Sequence, residues 1–303
     1  VIGSTGFRAL IVLLLLAGGL GAQPVPDKPA PTGGVLVFTA EARDYVFGAG
    51  ATLAKFAAEG KPVIVVHFGN GEKVAPGVDP AEARLIHRRE AEAAAKALGV
   101  TETLFLGHKS GEIAYLNSSE LRNQAITLIR FYKPEILFFP DWYVHYLRDD
   151  DNYRIGRMAE EAPYGGGNYF LQEMTYMGLL GASAREYYFY SPYRPYRARE
   201  GGEGKADFIG VDVSKFFDAK LKAAAALESA NQREMQIAET RLASSPAALE
   251  KLRGDGPAGF AEAFLEELAA TIGWRHGFSH GEEFNHLGVS SGLPEYISER
   301  AHR

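Results

Sequence analysis

The sequence predicts a three-layer α/β/α sandwich built on a Rossmann-like, mostly parallel sheet. Two observations carry this. Four short runs of apolar β-formers, between residues 35 and 139, are separated by helical stretches that close at Gly60, Gly99 and Pro134, the expected C-terminal stops. The strand runs are also continuously apolar rather than alternating, the pattern of strands covered by helices on both faces.

The elements follow in order. Residues 35–39 (Val-Leu-Val-Phe-Thr) make a first buried strand, and a helix runs over 46–59. Residues 63–68 (Val-Ile-Val-Val-His-Phe) make a second strand, which ends in the turn Gly69-Asn70-Gly71. A charged, alanine-rich helix covers 81–98, a third strand 103–106, a third helix 121–132 and a fourth strand 136–139, ended by Pro140. In such sheets function sits in the loops at the C-terminal strand ends, which here begin at Ala40, Gly69, Gly107 and Pro140. Beyond them the pattern loosens. A glycine- and aromatic-rich stretch covers 162–181, one strand is expected at 187–190, and a loop rich in tyrosine and arginine follows. Amphipathic helices are expected over 214–228 and 258–272, and the tail from 273 has little periodicity. The chain thus divides into residues 1–22, a proline-rich linker over 23–33, one domain over 34–272 and a tail over 273–303.

Composition narrows the function. With 303 residues and 46% hydrophobic content, one α/β domain accounts for the chain. The 38 acidic and 32 basic residues give a net charge of −6 and no support for a nucleic-acid partner. No cysteine is present, so thiolate metal ligands, a thiol nucleophile and disulfides are excluded. At the N-terminus Arg8 precedes the apolar run of residues 9–16, and small residues follow up to Ala22. That order reads as a secretory signal cleaved after Ala22, and the run is short for a membrane span. An exported protein with no stable span after cleavage is expected. Pro24, Pro26, Pro29 and Pro31 then form a stiff linker.

The punctuation between the elements resembles the PIG-L/LmbE de-N-acetylase family. Residues 35–50, with Thr-Ala-Glu-Ala-Arg-Asp at 39–44 and Gly48-Ala-Gly50, resemble its first motif, a strand followed by Pro-His-Pro-Asp-Asp-Glu and a Gly-x-Gly helix start. Gly69-Asn-Gly-Glu72 resembles its Thr-Asp-Gly-Glu turn. His87-Arg-Arg-Glu90, with Leu98-Gly99, resembles its Arg-x-x-Glu helix, and Phe105-Leu-Gly-His-Lys-Ser-Gly111 its third loop. Asp149-Asp-Asp-Asn-Tyr-Arg-Ile-Gly156 stands where the family has His-Pro-Asp-His and a glycine helix, and Asp212-Val213, Lys220 and Asn231-Gln232 resemble its late signals. The resemblance implies the sandwich fold and zinc-dependent hydrolysis of an N-acetyl group on an amino sugar. Two histidines and an aspartate would hold the metal, and a neighbouring aspartate would act as general base.

The working positions depart from that pattern. Glu41 stands at the first zinc histidine, Arg43 at the general base and Asn152 at the second zinc histidine, while Asp44 and Asp151 keep their aspartates. Asn70 and Ser110 replace the aspartates of the second and third loops. Arginine stays protonated near neutral pH and cannot serve as a base. At about 5 Å, with an effective dielectric near 20, its charge repels a divalent ion by roughly 6–7 kcal/mol. Glu, Asp and Asn are hard oxygen donors, better matched to calcium or magnesium than to zinc.

The reading is therefore a catalytically degenerate homologue that keeps a cleft for a glycan or amino-sugar conjugate and needs no cofactor. Its expected ligand-binding residues are Glu41, Arg43, Asp44, His108, His145, Asp151 and Asn152. One alternative is an active hydrolase with a rearranged zinc or other divalent-cation site, drawn from Glu41, Asp44 and Asn152, with His145 as a substitute ligand. Another is a self-assembling extracellular protein, a homo-oligomer using the tyrosine-rich loop and the tail as contacts. Simpler roles stand beside these. Glu41, Arg43 and Asp44 could form a solvated ion-pair cluster, Asp149–Asp151 a helix cap, His67 a satisfied core histidine, and His276, His280 and His286 surface positions.

Overall fold

The structure is a computed structural model and describes residues 32–75, 77–142, 150–162, 170–192 and 208–288. The expected signal segment, most of the linker, His145, Asp149, residues 193–207 of the tyrosine-rich stretch and the end of the tail lie outside the described residues.

The sandwich forms as predicted. Strands β1 (Val35–Thr39), β2 (Val63–Gly69), β3 (Glu102–His108), β4 (Ile136–Pro140), β5 (Glu186–Tyr190), β6 (Phe208–Asp212) and β7 (Gly281–Leu287) make one sheet in the order β3-β2-β1-β4-β5-β7-β6. The first five pair in parallel, and β7 lies antiparallel between β5 and β6. Every residue of β1, β2 and β4 is buried. Because side chains alternate across a strand, each apolar run feeds two cores. Val35, Val37, Val63, Val65 and Phe138 face one; Leu36, Phe38, Ile64, Val66 and Phe139 face the other.

The helices are α1 (Ala42–Ala58), α2 (Pro80–Ala97), α3 (Ser118–Tyr132), α4 (Asp150–Glu161), the short α5 (Gln172–Tyr176), α6 (Phe217–Ala225), α7 (Glu228–Arg241) and α8 (Pro246–His276). Buried positions of α1, α2, α6, α7 and α8 join the first core, and those of α3 and α4 join the second. Asp79 caps α2 by accepting from the Ala81 amide at 2.8 Å, and Asn117 caps α3 through Ser119 at 2.8 Å. A Cβ on Gly156 would lie 2.2 Å from the Pro140 carbonyl. Glycine there lets α4 sit directly on the end of β4, which fixes the height of Asn152 one turn earlier.

Three expectations are corrected here. The helix expected over 214–228 is two helices separated near Leu227, and the second continues to Arg241. The helix expected over 258–272 is the second arm of α8, bent at Gly256. The tail expected to be aperiodic supplies β7, a strand inside the sheet. Its charged sequence, Gly-Glu-Glu-Phe-Asn-His-Leu, hides the apolar signal of a buried strand.

Candidate functional site

The strand order reverses direction between β1 and β4, and a cleft of about 440 Å³ opens at that point, over the C-terminal strand ends. This is where open α/β sheets bind ligands. Ala40–Asp44 follow β1, Ser110 and Gly111 follow β3, Asp141 and Trp142 follow β4, and Ser191 and Pro192 follow β5. Asp150–Tyr153 of α4 and Arg233, Glu234, Ile237 and Arg241 of α7 close the sides.

Of the residues proposed from sequence, Glu41, Arg43, Asp44, Asp151 and Asn152 all line this cleft. They do not form a solvated cluster, since Arg43 and Asp44 are each 7% exposed and Asp151 and Asn152 each 8%. His108 does not join them. Its Nε2 lies 2.8 Å from Gln124 Oε1 of α3, and its ring lies over Phe68. Asn70 closes its own turn, accepting from the Glu72 amide and donating to the Glu72 carboxylate, both at 3.1 Å. Ser110 Oγ accepts from the Gly71 amide at 3.0 Å, so it braces the loop after β2.

The charges of the cleft are matched inside the protein. Arg233 presents both terminal nitrogens to Glu41 Oε2 at 3.2 Å, and lies 3.7 Å from Glu234. Burial works against the Arg233 charge, but Glu41, Glu234 and Asp44 outweigh it and hold its pKa above the ordinary value. Arg43 pairs with Glu234 at 3.7 Å and lays its guanidinium 4.3 Å from the centre of the Phe47 ring, a cation–π contact. Asp44 Oδ2 accepts from the Glu41 amide at 2.9 Å across the first turn of α1. Asp150 and Asp151 stand in the first turn of α4, as acidic residues at a helix N-terminus should. Asp151 also accepts from the amides of Gly111 at 2.5 Å and Ile113 at 3.0 Å, fastening the loop after β3 to the cleft wall.

Arg233 and Glu234 are the cleft residues that sequence reasoning missed. They directly follow the Asn231-Gln232 signal, and the available clue was that α7 continues past residue 228. Glu90 sets the position of that helix. Its carboxylate accepts from the Ser229 amide at 3.1 Å and the Ser229 hydroxyl at 2.9 Å, at the start of α7. Burial raises the Glu90 pKa, and the Ser229 contacts oppose the rise.

The donor set does not fit zinc. Among the described residues no histidine lines the cleft, and no three His, Asp or Glu side chains cluster as a metal site. Glu41 and Asp44 already serve Arg233 and a backbone amide. The tail histidines diverge as well. His276 meets Glu283 at 2.9 Å, His280 meets Glu266 at 2.8 Å and His286 meets Glu186 at 3.4 Å.

A family model for PIG-L, described as GlcNAc-PI de-N-acetylase, matches residues 36–157, the segment holding β1 to β4 and the cleft residues that follow β1 and begin α4. Over this segment the chain matches the PIG-L model, in keeping with the PIG-L/LmbE resemblance of its motifs. Solved structures share the fold. The N,N'-diacetylchitobiose deacetylase of Pyrococcus horikoshii is 23% identical, with a TM-score of 0.65 over 93% of this chain and 92% of that one. A conserved protein of Thermus thermophilus is 22% identical, with a TM-score of 0.60 over 86% of this chain and 94% of that one. The 4-carboxy-2-hydroxymuconate hydratase of Pseudomonas putida is 19% identical, with a TM-score of 0.59 over 87% of this chain and 100% of that one.

Proposed function

We propose that this chain is an exported, catalytically degenerate PIG-L/LmbE protein whose cleft binds a glycan or amino-sugar conjugate without hydrolysing it. The observation that carries the reading is Arg43. It stands where the family places its general base, and it is committed to Glu234 and the Phe47 ring. Loss of a general base alone costs about 10²- to 10⁴-fold in rate, and here the two zinc histidines are replaced as well. The cleft keeps features suited to a sugar. Trp142 and Tyr153 line it 5.9 Å apart, edge to face, and offer apolar ring faces. Carboxylates and guanidiniums around them supply hydrogen-bond partners for hydroxyl groups. One relative with this fold is a deacetylase of N,N'-diacetylchitobiose and another is a hydratase, so the fold by itself does not fix the chemistry. Export rests on the charged, apolar, small-residue order of residues 8–22.

The test begins with metal content. The mature protein is purified without chelator, incubated with zinc and measured by elemental mass spectrometry. N-acetylglucosamine and N,N'-diacetylchitobiose are then titrated in and acetate release is followed. Saturable binding, no release and no stoichiometric zinc are expected. Near-stoichiometric zinc that disappears in Asp44→Ala, together with acetate release, would overturn the reading in favour of a rearranged hydrolase.

A further inference from the structure

One side of the cleft is closed by a helical hairpin, residues 228–255, made of α7 and the first arm of α8. Both ends of the hairpin are points of broken helix. Leu227, between α6 and α7, has φ −92° and ψ 54°. Gly256 has φ 65° and ψ −176°, and a Cβ there would meet no atom within 4 Å. The backbone at Gly256 is therefore free of close neighbours.

The hairpin is rooted near its start. Ala230, Asn231 and Met235 are buried, and Glu90 fastens Ser229. From Gln236 to Phe260 no residue whose side chain is described is buried, and burial resumes at Ala261. Between this stretch and α1 lies a cavity of about 270 Å³, lined by Phe47, Ile237 and Phe264 together with Arg43, Glu234 and Arg241. Packed interiors leave few voids larger than a water molecule, so the far end of α7 stands off α1 rather than resting on it.

Charge joins α7 to the start of α1. Arg233 lies 3.2 Å from Glu41, and Glu234 lies 3.7 Å from Arg43. Inside the hairpin, Arg253 donates to Glu239 at 2.8 Å and ties the two arms together, so they move as a unit.

We propose that residues 228–255 form a hinged flap on the cleft, pivoting near Leu227 and Gly256 and latched by Arg233–Glu41 and Glu234–Arg43. The cavity beside Phe47 is the space that lets it swing. Because α7 supplies Arg233, Glu234, Ile237 and Arg241 to the cleft lining, each swing changes the shape of the cleft. A ligand that engages Glu41 or Arg43 competes with the latch, which couples opening to occupancy whatever the ligand is.

The chain has no cysteine, so introduced cysteines carry spin labels at chosen sites alone. Leu85 on α2, Asp218 on α6 and Thr240 on α7 are exposed and line neither cavity. At about 1.5 Å of rise per residue, a tilt of about 15° around Leu227 moves Thr240 by about 5 Å. Pulsed electron paramagnetic resonance on Leu85→Cys, Thr240→Cys is expected to give one distance at low salt. Adding Glu41→Gln and Glu234→Gln, or raising salt to about 1 M to screen the latch, is expected to add a second population about 5 Å away. The pair Leu85→Cys, Asp218→Cys is expected to keep one distance throughout. A Leu85–Thr240 distance that stays single under both treatments overturns the flap. Equal broadening of both pairs overturns it as well, since the whole domain then loosens. High salt needs no further substitution, so the test stands even where the latch variant fails to fold.

Discussion

His67 sits on β2 with 0% of its surface exposed, its ring stacked 4.7 Å from Phe105 and edge-on to His87 at 5.6 Å. It is a core histidine, but not a satisfied one. Neither ring nitrogen has a partner among the described residues, and the same holds for His87 Nε2 and the Tyr45 hydroxyl. Each such group forgoes about 1–3 kcal/mol of hydration. Burial, helped by His87, holds the His67 pKa well below its ordinary value. Burial also lowers that of His87, with Glu41 opposing and Arg233 adding to the effect. The unfolded chain takes up protons on both rings at a pKa of about 6.5, whereas the folded chain resists. Stability from this source is therefore full above about pH 6.5 and falls as the pH drops below it. The slope is up to about 1.4 kcal/mol per pH unit for each ring until the folded pKa is reached. Denaturant titrations between pH 7.5 and 5 are expected to show this fall. His67→Leu is expected to remove about half of it while leaving stability at pH 7.5 equal or higher. An acid limb unchanged in His67→Leu would assign the fall to other groups.

At the scale of elements, the C-terminal half is joined to α1 through a buried ion pair. Lys220 of α6 and Glu282 of β7 meet at 2.6 Å, each with a side chain 3% exposed. Lys220 also donates to the Phe47 carbonyl at 2.7 Å, and Glu282 accepts from the Ala51 and Thr52 amides at 3.1 and 2.8 Å. Removing one partner strands a buried charge, so Glu282→Ala is expected to cost about 3–5 kcal/mol, measured by urea unfolding. A cost under about 1 kcal/mol would mean that water reaches Lys220. Gly256, at φ 65° and ψ −176° in the bend of α8, holds a conformation open almost only to glycine. Gly256→Ala is expected to cost about 1–3 kcal/mol although a Cβ there meets no atom within 4 Å.

The same elements show what could be read from sequence. The strands β1, β2 and β4 were legible because burial on both faces demands unbroken apolar runs, and β3, half-buried at the sheet edge, through its shorter run Thr-Leu-Phe-Leu. The strand β7 was not, because Glu282 and Glu283 are buried against Lys220, Arg275 and His276, whose approach only the fold reveals. The break near Leu227 and the bend at Gly256 displaced the helix boundaries for a local reason, since helix periodicity continues through one and is interrupted at the other. In the cleft, Glu41, Arg43 and Asp44 were legible as residues just after a strand end, and Asp151 and Asn152, in the first turn of α4, through the resemblance of their motif. Arg233 and Glu234 were not, because α7 reaches the cleft from far along the chain, as the Arg233–Glu41 separation of 192 positions shows. His108 was misplaced because its strand end turns it toward Gln124.

At the scale of the whole molecule, the chain shares its fold with a deacetylase and a hydratase, while the charges of its cleft are paired with one another. If, as proposed, the cleft departs from a zinc hydrolase in side chains alone, the scaffold can be asked to bind zinc. Glu41→His, Arg43→Asp and Asn152→His together return the family's residues around Asp44 and remove the guanidinium that opposes a divalent ion by roughly 6–7 kcal/mol. Arg233, released from Glu41, still has Glu234 at 3.7 Å to hold its charge. The triple variant is expected to gain a zinc-dependent rise in Tm, because an ion that binds only the folded chain stabilises it by RT ln(1 + [Zn]/Kd). Glu41→His alone is expected to gain none, since Arg43 remains and Asn152 supplies no imidazole. Thermal unfolding with and without zinc decides this. A zinc response in the single variant would show that Arg43 does not guard the site against cations. No response in the triple variant would show that α7, through Arg233 and Glu234, has reshaped the cleft beyond the reach of ligand replacement.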